Sequence, residues 1–410
     1  MENQLCRFCD LELTTTFVDL GMSPLSNSFV PANKLKTPEI TFPLHAYVCE
    51  KCLLVQLEEF QSPEHIFSDY AYFSSYSDSW LKHASDYVDM IIPTLGLTEQ
   101  SLVIEVASND GYLLQFFNQQ HIPVLGIEPA ENVAKIAQQK GIDTLVSFFQ
   151  SETAQDLKQR NVVADLIIGN NVLAHVPNLR DFVASLKIVL KPQGVITMEF
   201  PHLLKLMAEN QFDTIYHEHF SYFSLITVQQ VFRNFGLEIF KVEEIPTHGG
   251  SLRIYAKHIE DKTRELTDSV QQLLEKEMQF GLNKFETYRL FSKKVIETKR
   301  VLLEFLINIK REGKTIVGYG APAKGNTLLN YCGIRSDFLD YTVDRNPVKQ
   351  DMYLPGTRIP IYSPDILKET KPDYILILPW NIKEEIMDQI SFVREWGCKF
   401  IIPIPKLTVM

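Results

Sequence analysis

The feature that most constrains the fold of this chain is a repeated alternation of short apolar strands with amphipathic helices. From Ser101 onward the pattern predicts strands at 102–106, 124–128, 165–170 and 194–200, and helices at 112–119 and 130–140. Parallel strands need a crossover connection, which is usually a helix. This order therefore predicts a doubly wound, mostly parallel α/β sheet.

The same alternation restarts near the end of the chain, after a long polar helical region from Thr263 to about Glu312. Strands are predicted at 315–320, 338–344 and 374–378. A second Rossmann-like unit is the simplest interpretation, with the polar helices as a bridge. We therefore predict a small N-terminal module at 1–65, a first Rossmann-like domain at 66–258, and the bridge with a second Rossmann-like domain at 259–410.

Length and composition restrict the class of protein. With 410 residues, of which 45% are hydrophobic and 22% charged, the chain resembles a globular protein with more than one core. A formal net charge of -11 argues against a general nucleic-acid binder, because phosphate contacts need a basic surface, but it permits one bound nucleotide. The sequence has no signal-peptide pattern and no apolar run of membrane-spanning length. We expect a cytoplasmic protein with no membrane partner.

Four of the six cysteines form two pairs, Cys6-x-x-Cys9 and Cys49-x-x-Cys52. Each pair offers two thiolates from one tight turn, and in a reducing compartment two such pairs predict a tetrahedral zinc site. The long gap between the pairs is compatible with an inserted hairpin or loop. Four thiolates would fill the coordination sphere, which favours structural Zn²⁺ over a catalytic metal. The alternative of four unrelated thiols needs two coincident spacings.

The turn after the first predicted strand, residues 107–111, contains only small or short polar residues. Small residues let the backbone approach a ligand closely, and ligands of α/β sheets bind at such strand ends. The turn lacks the G-x-G-x-x-G fingerprint of dinucleotide-binding proteins. In the glycine-rich loop usual for methyltransferases that use S-adenosylmethionine, Ala107 would stand at the first glycine position, and alanine is the next smallest residue.

Residues at the following strand ends fit the same cofactor. Glu105 suits the cationic amino-acid part of a ligand, and Glu128 is placed to accept hydrogen bonds from both ribose hydroxyls. The remaining cofactor-binding candidates are Asn109, Asp110, Gly111, Phe148, Asn170 and Asn171. Phe148, with its neighbour Phe149, would cover an adenine face. This layout predicts an S-adenosylmethionine-dependent methyltransferase of the Rossmann type, and a loop with only a structural role is the alternative.

A short aromatic segment, residues 212–224, concentrates two histidines, a glutamate and two tyrosines. Such a cluster is costly to bury unless its polar groups are paired, and several of its groups move protons near neutral pH. We interpret it as the chemical half of an active site. Two alternatives are a metal site, since His-x-His is a common chelating pair, and a hydrogen-bonded network that fixes a loop.

Five motifs that occur together and in order resemble those of one known family over essentially the full length. The motifs are the four-cysteine module, Ser108–Gly111, Tyr216–His219, His248–Arg253 and Gly318–Thr327. The family is the sugar C-methyltransferases that act on nucleotide-linked 4-keto deoxysugars. The resemblance implies S-adenosylmethionine and structural zinc as cofactors. It also implies a nucleotide-sugar substrate, expected to be dTDP-linked, that receives a methyl group at C3.

The resemblance also implies roles for the aromatic segment. A base removes the proton at C3, which the neighbouring 4-keto group acidifies, and the enolate carbon attacks the methyl group of S-adenosylmethionine. His219 is the expected base by its position in the family motif. Glu218 would orient or polarise it, and His175 would face the sugar. The remaining catalytic candidates are Tyr216, Tyr70 and Tyr72, any of which would donate a hydrogen bond to the enolate oxygen.

By the same resemblance the C-terminal unit would hold the nucleotide. Backbone N–H groups near Gly320, with Lys324 and Asn326, form an expected diphosphate site at a helix start. Asp344 and Arg345 occupy the family's position for ribose or base contacts, and His248 and Arg253 would meet the substrate. In the alternative interpretation the glycines serve only strand–helix packing and Lys324 is solvated.

Three functions are therefore compatible with the sequence. The leading one is C3 methylation of a nucleotide-linked keto sugar. A second is methyl transfer to another small metabolite. The third is a zinc-containing binding protein that has lost catalysis. The co-occurrence of His219, Glu218, Glu105 and Glu128 disfavours the third, because an inactive site has no reason to keep proton-transfer and ribose-binding groups together.

Overall fold

The computed structural model describes residues 4–62, 74–76 and 78–410. Tyr70 and Tyr72 lie outside the described residues. Three sheets account for most of the strands, one from each predicted unit. Among the described residues, no helix is both long enough and apolar enough to cross a lipid bilayer.

The N-terminal sheet is antiparallel and contains a strand from a distant part of the chain. Its four strands lie in the order β1 (Thr15–Ser23), β3 (Phe42–Val48), β4 (Val55–Leu57) and β10 (Ser221–Tyr222), with β10 at one edge. Strand β2 (Val30–Pro31) lies between β1 and β3 in sequence and is not part of this sheet. In β3 alternate residues are buried, as expected for a strand with one face on a core. The edge strand β10 follows His219 directly, so the module with the cysteine pairs holds one end of the aromatic segment.

The middle sheet has seven strands in the order β11-β12-β9-β8-β5-β6-β7. These strands are β5 (Val103–Val106), β6 (Val124–Ile127), β7 (Thr144–Leu145), β8 (Ala164–Asn170), β9 (Leu190–Pro201), β11 (Leu237–Ile245) and β12 (Ser251–His258). The first five in sequence pair in parallel, and β12 and β11 add antiparallel strands at one edge. All four residues of β5 are buried, which is the pattern of a parallel strand covered on both faces.

Helices accompany the middle sheet and lie near its strand ends. They are α1 (Asp78–Leu95), α2 (Leu114–Gln119), α3 (Glu131–Gln139), α4 (Ser151–Gln159), α5 (Leu179–Val189), α6 (Leu203–Ala208) and α7 (Leu225–Asn234). The N-terminus of α5 is capped by Asn178, whose side chain accepts from Asp181 N–H, and that of α7 by Ser224, whose side chain accepts from Thr227 N–H.

The polar helical region is not one continuous helix. It contains α8 (Asp268–Phe280), α9 (Phe285–Arg289) and α10 (Phe291–Arg311), and α8 ends at Gly281, which adopts a left-handed conformation. The polar character also hides a buried stripe, because Val295, Leu302 and Leu306 of α10 are buried. Helix α8 packs on β11 and α10 packs on β1, so the region does connect the middle and N-terminal sheets.

The C-terminal sheet has the order β16-β14-β13-β17-β18-β19, with all pairs parallel except the last. Its elements are β13 (Ile316–Tyr319), α11 (Ala323–Cys332), β14 (Thr342–Val343), β16 (Ile361–Tyr362), α12 (Ile366–Thr370), β17 (Tyr374–Ile377), α13 (Lys383–Gln389), β18 (Lys399–Ile402) and β19 (Thr408–Val409). A further strand, β15 (Met352–Tyr353), pairs instead with β2 of the N-terminal module. The strand predicted at 338–344 shortens to β14. Two parallel sheets confirm the predicted α/β class.

The cores do not follow the three sheets one by one. One hydrophobic cluster joins the N-terminal sheet, residues 203–222 and the whole C-terminal sheet. A second joins the cysteine pairs to one face of the middle sheet. The N-terminal module is therefore packed into both larger units, and the space between the three units becomes a shared cavity.

Candidate active site

A cavity of about 1030 Å³ lies where the three units meet. It is bounded by the ends of β5, β6 and β8, by the loop between β1 and β2, by the aromatic segment and by the start of α11. Single-ligand pockets measure roughly 300–1,000 Å³. The cavity thus lies at the upper end of this range, and one part of its lining belongs to the middle sheet while another belongs to the other two units.

The loop after β5 approaches the cavity with an unusual backbone. Ala107 and Asn109 both have positive φ, 55° and 50°, as does Gly111 at 75°. Non-glycine residues adopt this conformation rarely, and such positions are frequent where a backbone must approach a ligand. The Asn109 side chain accepts a hydrogen bond from Ser74 N–H at 2.9 Å, and Ala107 and Asn109 both line the cavity.

Glu128 ends β6 and lines the cavity as an acceptor. Its two oxygens accept from Asn109 N–H and Ala130 N–H, each at 2.9 Å. A carboxylate oxygen has two lone pairs, so one remains on each oxygen for a further donor. Burial raises the pKa of Glu128, and the two N–H groups oppose that shift. The arrangement suits two neighbouring ribose hydroxyls.

Three other cofactor candidates do not line the cavity. Glu105 is fully buried in β5, where burial raises the pKa of its carboxyl well above the usual range. Asp110 accepts from Lys140 Nζ at 3.1 Å and from the hydroxyl of Ser75, and it supports the loop from behind. A side chain at Gly111 would be strained, because its φ is 75° and a Cβ there would lie 3.1 Å from the Ile142 side chain.

The remaining cofactor candidates line the cavity near Glu128. They are Phe148, Asn170 and Asn171, and Phe149 lies beside them. Asn171 Nδ2 donates to His248 Nε2 at 3.0 Å, which links the cofactor side to the predicted substrate side. Burial lowers the pKa of His248 to about 4, so its imidazole is neutral and can accept this bond.

These residues fit S-adenosylmethionine. Free acceptor positions on Glu128 suit the ribose, aromatic rings at 148 and 149 suit the adenine, and the small residues of the loop leave space for the amino-acid part. The residues that would hold the cofactor are Ala107, Asn109, Glu128, Phe148, Asn170 and Asn171.

The aromatic segment is a tight turn and not an extended strand. A short 3₁₀ turn covers Phe212–Thr214, and His219 N–H then donates to Tyr216 O at 2.9 Å. The His219 ring contacts Thr214 O through Nδ1 at 3.0 Å and the Tyr216 hydroxyl through Nε2 at 2.8 Å. A carbonyl only accepts, so Nδ1 carries the hydrogen and Nε2 is the basic atom. Burial lowers the pKa of His219 well below its usual range, which keeps the ring neutral.

Glu218 and His175 lie beside this pair. The rings of His175 and His219 meet edge to face with centroids 4.7 Å apart. The residues Glu218, His175, His219 and Tyr216 all line the cavity. Burial lowers the pKa of His175 to about 4 and raises the pKa of Glu218 to about 7. The backbone of Glu218 contacts the His175 side chain. Glu218 thus titrates near neutral pH, whereas both imidazoles stay uncharged.

His217 points away from the cavity. Its Nε2 lies 3.2 Å from Pro43 O, and its ring packs edge to face on Phe42 of β3. The two histidines of the His-x-His motif therefore face different surroundings. Within the described ranges, the cysteine group is the sole cluster of three or more residues with a ligand geometry for metal, and this does not favour the alternative of a metal held by His217 and His219.

The cysteine pairs converge as predicted. The Sγ atoms of Cys6, Cys9, Cys49 and Cys52 all lie within 4.8 Å of one another. Two of these separations are 3.5 Å, between Cys6 and Cys52, and 3.4 Å, between Cys9 and Cys49. Zn–S bonds of about 2.3 Å in a tetrahedron place the sulfurs about 3.8 Å apart. The donor set and its size therefore fit a four-thiolate zinc ion.

Lys324 faces the cavity from the first turn of α11, and the charge of a buried acid, Asp213, acts on it. Its Nζ lies 4.5 Å from the centroid of the Trp380 ring and donates to Asn381 Oδ1 at 2.8 Å. Trp380 Nε1–H donates to Asp213 Oδ2 at 2.7 Å. Burial lowers the pKa of Lys324 to about 8, and the Asp213 charge opposes that shift. Burial raises the pKa of Asp213 to about 7, and Lys324 opposes it in turn.

The other substrate candidates divide into two groups. His248 and Lys324 line the cavity, whereas Gly320, Asn326, Asp344, Arg345 and Arg253 do not. Asp344 accepts from Ala321 N–H at 2.7 Å, and Arg345 is exposed. Arg253 lies in β12 with its guanidinium paired to Glu199 and Glu243, at 2.5 and 3.0 Å. Its charge is already neutralised, and contact with a substrate phosphate stays a prediction.

Several residues in and around the site escaped the sequence interpretation. Asn27 donates to both oxygens of Glu218, and Trp80 stacks on His83 and meets His248 edge to face with centroids 5.4 Å apart. Asp213 belongs to the aromatic segment but was not singled out there. Trp80 follows a run of sequence that is rich in aromatic residues, from Tyr70 to Tyr76, which is a usable signal. Asn27 carries none, because its partner is 191 residues away.

Comparisons with known proteins identify the family of this chain. The chain is 35% identical over 405 residues to the C-methyltransferase NovU of Streptomyces niveus, covering 99% of this chain and 96% of the relative. Family models match a zinc binding domain at 6–67, a methyltransferase domain at 80–242 and a C-methyltransferase C-terminal domain at 246–405.

Solved structures match less than half of the chain. A methyltransferase from Anabaena variabilis aligns with TM-score 0.36 and 17% identity over 43% of this chain and 84% of its own. The magnesium protoporphyrin IX methyltransferase of Synechocystis, solved with bound S-adenosylmethionine, aligns with TM-score 0.33 and 17% identity over 47% of this chain and 88% of its own. Both scores are low, and the family assignment comes from the relative and the family models.

Proposed function

The chain belongs to the family of S-adenosylmethionine-dependent C-methyltransferases, and we propose that its acceptor is a nucleotide-linked 4-keto deoxysugar methylated at C3. The observation that carries this proposal is the Tyr216–His219 pair, a neutral buried base in the same cavity as the cofactor loop. Carbon methylation needs a carbanion, so it needs such a base. Methylation at oxygen or nitrogen needs less help, because those atoms already carry a lone pair.

The substrate supplies an acidic C–H bond. A ketone at C4 lowers the pKa of the proton at C3, because the resulting charge moves onto the carbonyl oxygen. We assign the proton to the Tyr216–His219 pair, whose basic atom is Nε2 of His219. Once Nε2 is protonated it donates to the Tyr216 oxygen, and the Tyr216 hydroxyl hydrogen becomes available to the enolate oxygen. Thr214 O keeps the tautomer fixed throughout.

Carbon–carbon bond formation follows. When bound, S-adenosylmethionine supplies a methyl group attached to a positively charged sulfur. The residues that would hold the cofactor are those at the ends of β5, β6 and β8. The electron pair of the enolate would form the bond from C3 to that methyl carbon, the carbon–sulfur electron pair would go to sulfur, and the ketone at C4 would be restored. The residues at the ends of β5, β6 and β8 orient the reacting groups and exclude water.

Glu218 and His175 complete the reacting side in this proposal. Glu218 orients the pair or polarises the sugar, and His175 faces the sugar as a neutral imidazole. Tyr70 and Tyr72 stay candidates for the enolate hydrogen bond. On the nucleotide side, Lys324 offers a cation to the diphosphate at the start of α11, and the proposed nucleotide is dTDP. His248, Gly320, Asn326, Asp344, Arg345 and Arg253 stay proposed contacts. Such a reaction belongs to deoxysugar biosynthesis.

Hydrogen–deuterium exchange at C3 tests the proposal directly. A dTDP-4-keto-6-deoxyhexose is incubated in D₂O with the enzyme, and loss of the C3 proton signal is followed by NMR with and without S-adenosylmethionine. We expect enzyme-dependent exchange that His219→Asn abolishes. Absent exchange, with cofactor binding intact, would reject this acceptor and favour methyl transfer to another small metabolite. Absent cofactor binding would instead favour an inactive binding protein.

A further inference from the structure

Glu218 has a buried carboxyl group whose hydrogen-bond donor, Asn27, comes from outside its own segment. Its side chain is buried beside the cavity, and the residue is only 5% exposed. A buried carboxylate is unfavourable unless donors replace the lost water. The donor found here is the Asn27 amide, whose Nδ2 lies 2.8 Å from Oε1 and 3.0 Å from Oε2 of Glu218. Both carboxylate oxygens therefore share one amide group from the N-terminal module.

The position of Asn27 is set by the C-terminal unit. Asn27 lies in the loop between β1 and β2, and β2 pairs with β15 of the C-terminal unit. The preceding carbonyl, Ser26 O, accepts from Asn326 Nδ2 of α11 at 2.6 Å. Two separate contacts thus fix the loop against the unit that also presents Lys324 to the cavity.

We propose that Asn27 is a positioning residue for methyl transfer, which holds the Glu218 carboxylate in one orientation in the cavity, and that Asn326 holds Asn27 through Ser26. The role of Glu218 itself rests on the proposed function. In this arrangement the reacting segment comes from the middle unit, its carboxylate clamp from the N-terminal module and the support of the clamp from the C-terminal unit. Asn326 thereby gains a role that its predicted contact with substrate did not include.

The clamp has a measurable electrical consequence. Burial raises the pKa of Glu218 to about 7, and Asn27 acts in the opposite direction. The ionisable groups near Glu218 are His217 and His219 on its own segment and His175 from the turn after β8. The other side chains of this kind that line the cavity on this side are Glu59, Tyr216, His248, Lys324 and Lys349. Both His175 and His219 have lowered pKa values caused by burial, so neither supplies a compensating charge. Removal of Asn27 should raise the pKa of Glu218 further.

Two variants of Asn27 test the proposal, so that the test still works if one of the two variants does not fold. Asn27→Ala removes the donor, and Asn27→Asp keeps the shape but replaces the donor with a second carboxyl group. Asn33→Ala, an exposed asparagine of the same module, is the matched control. Zinc content and S-adenosylmethionine affinity, which report on folding, should be unchanged in all three.

The first readout is the titration of Glu218 by ¹³C NMR of glutamate-labelled protein, with its signal identified by comparison with Glu218→Gln. We expect the pKa of Glu218 to rise by about one unit in Asn27→Ala, more in Asn27→Asp and not at all in Asn33→Ala, and one unit corresponds to a tenfold change in the ionisation equilibrium. The second readout is the pH profile of turnover, whose acidic limb should move upward with the same pKa.

The outcomes separate the two hypotheses. An unchanged Glu218 titration in both Asn27 variants would overturn the inference even if Glu218→Gln loses turnover. Undiminished turnover in Glu218→Gln would reject the proposed role of Glu218 and the inference with it. A shifted titration, an acidic limb shifted with it and an intact cofactor affinity would support the clamp.

Discussion

The two sides of the cavity are built in different ways. The cofactor side comes from one continuous stretch, residues 107–171, in which consecutive strand ends of a single sheet place each group. The reacting side combines Asn27, residues 214–219 and Lys324, which come from three separate units. The first side needs only the middle sheet to be folded. The second exists only when all three units are assembled, so it should be the side that perturbations remove first.

Loss of zinc should show this difference most strongly. The four thiolates join the turn at Cys6–Cys9 to the turn at Cys49–Cys52, which connects β3 to β4. Strand β10, at the end of the reacting segment, pairs with β4. Gln56 of β4 also donates to Cys6 Sγ at 3.2 Å. Structural zinc contributes on the order of 10 kcal/mol to the folding of small modules. We expect Cys49→Ser to remove turnover and to increase amide exchange in residues 216–224, while S-adenosylmethionine still binds.

Cys398→Ala is the control, because this buried thiol lies in the C-terminal unit far from the cysteine pairs in sequence. It should keep about one zinc per chain, the amide protection of residues 216–224 and turnover. Simultaneous loss of cofactor binding and turnover in Cys49→Ser would contradict the separation of the two sides. A fully folded protein without metal would refute the structural role of zinc.

His219→Asn should affect the reacting side alone, and it should lower turnover by a somewhat smaller factor than Cys49→Ser does. Removal of a general base typically costs about 10²–10⁴ in rate. Asparagine cannot accept the proton, whereas the cofactor residues at the ends of β5, β6 and β8 are untouched. Turnover should fall by such a factor, with S-adenosylmethionine affinity nearly intact, as measured by calorimetry.

The neighbouring histidine is the natural control. His217 faces Pro43 and Phe42 and not the cavity, so His217→Asn should retain most of the turnover. Equal losses in the two variants would mean that the segment responds as a structural unit, and His219 would lose its assignment as base.

The same contrast explains what the sequence predicts. Period and strand-end rules place Glu128, Asn170 and Asn171 at one edge of a sheet, because parallel strands carry their ends to the same edge. The cysteine pairs predict their own convergence by spacing. No local pattern connects Asn27 to Glu218 or Lys324 to Asp213, because the hydrogen bond in the first case and the electrostatic interaction in the second depend on how whole units pack. Arg253 is a further example, because its sequence context gives no sign of the ion pairs that it forms with Glu199 and Glu243.

Glu128→Ala should weaken the cofactor side in isolation. The variant removes the two acceptor positions assigned to the ribose, and lost hydrogen bonds of this kind cost on the order of 1–3 kcal/mol. S-adenosylmethionine should bind about 10- to 100-fold more weakly, whereas turnover at saturating cofactor should change little. Asp143→Ala, at an exposed position just before the neighbouring strand β7, is the matched control.

Unchanged affinity in Glu128→Ala would argue against the assigned ribose site. A large loss of turnover at saturating cofactor would show that the two sides are coupled through the loop that Glu128 also holds, at Asn109 N–H.

Among these variants Asp213→Asn should have the smallest effect on turnover, and we expect the effect to be visible only in the pH dependence of turnover. The pKa of Lys324, lowered to about 8 by burial, is held up by the Asp213 charge. Asparagine keeps an acceptor for Trp380 Nε1–H but carries no charge, so the pKa of Lys324 should fall further. If the substrate anion needs protonated Lys324, turnover falls as pH rises through that pKa. The basic limb of the pH profile should therefore move to lower pH by up to about one unit.

The profile of Lys324→Met separates this effect from others. Without the ammonium group the basic limb should disappear and the KM for the nucleotide sugar should rise, while cofactor affinity stays the same. A basic limb that is identical in the parent protein and Asp213→Asn would show that Asp213 does not control the charge of Lys324. Since Asp213 and Lys324 come from different units, such a result would also remove one of the electrostatic interactions by which the reacting side depends on assembly.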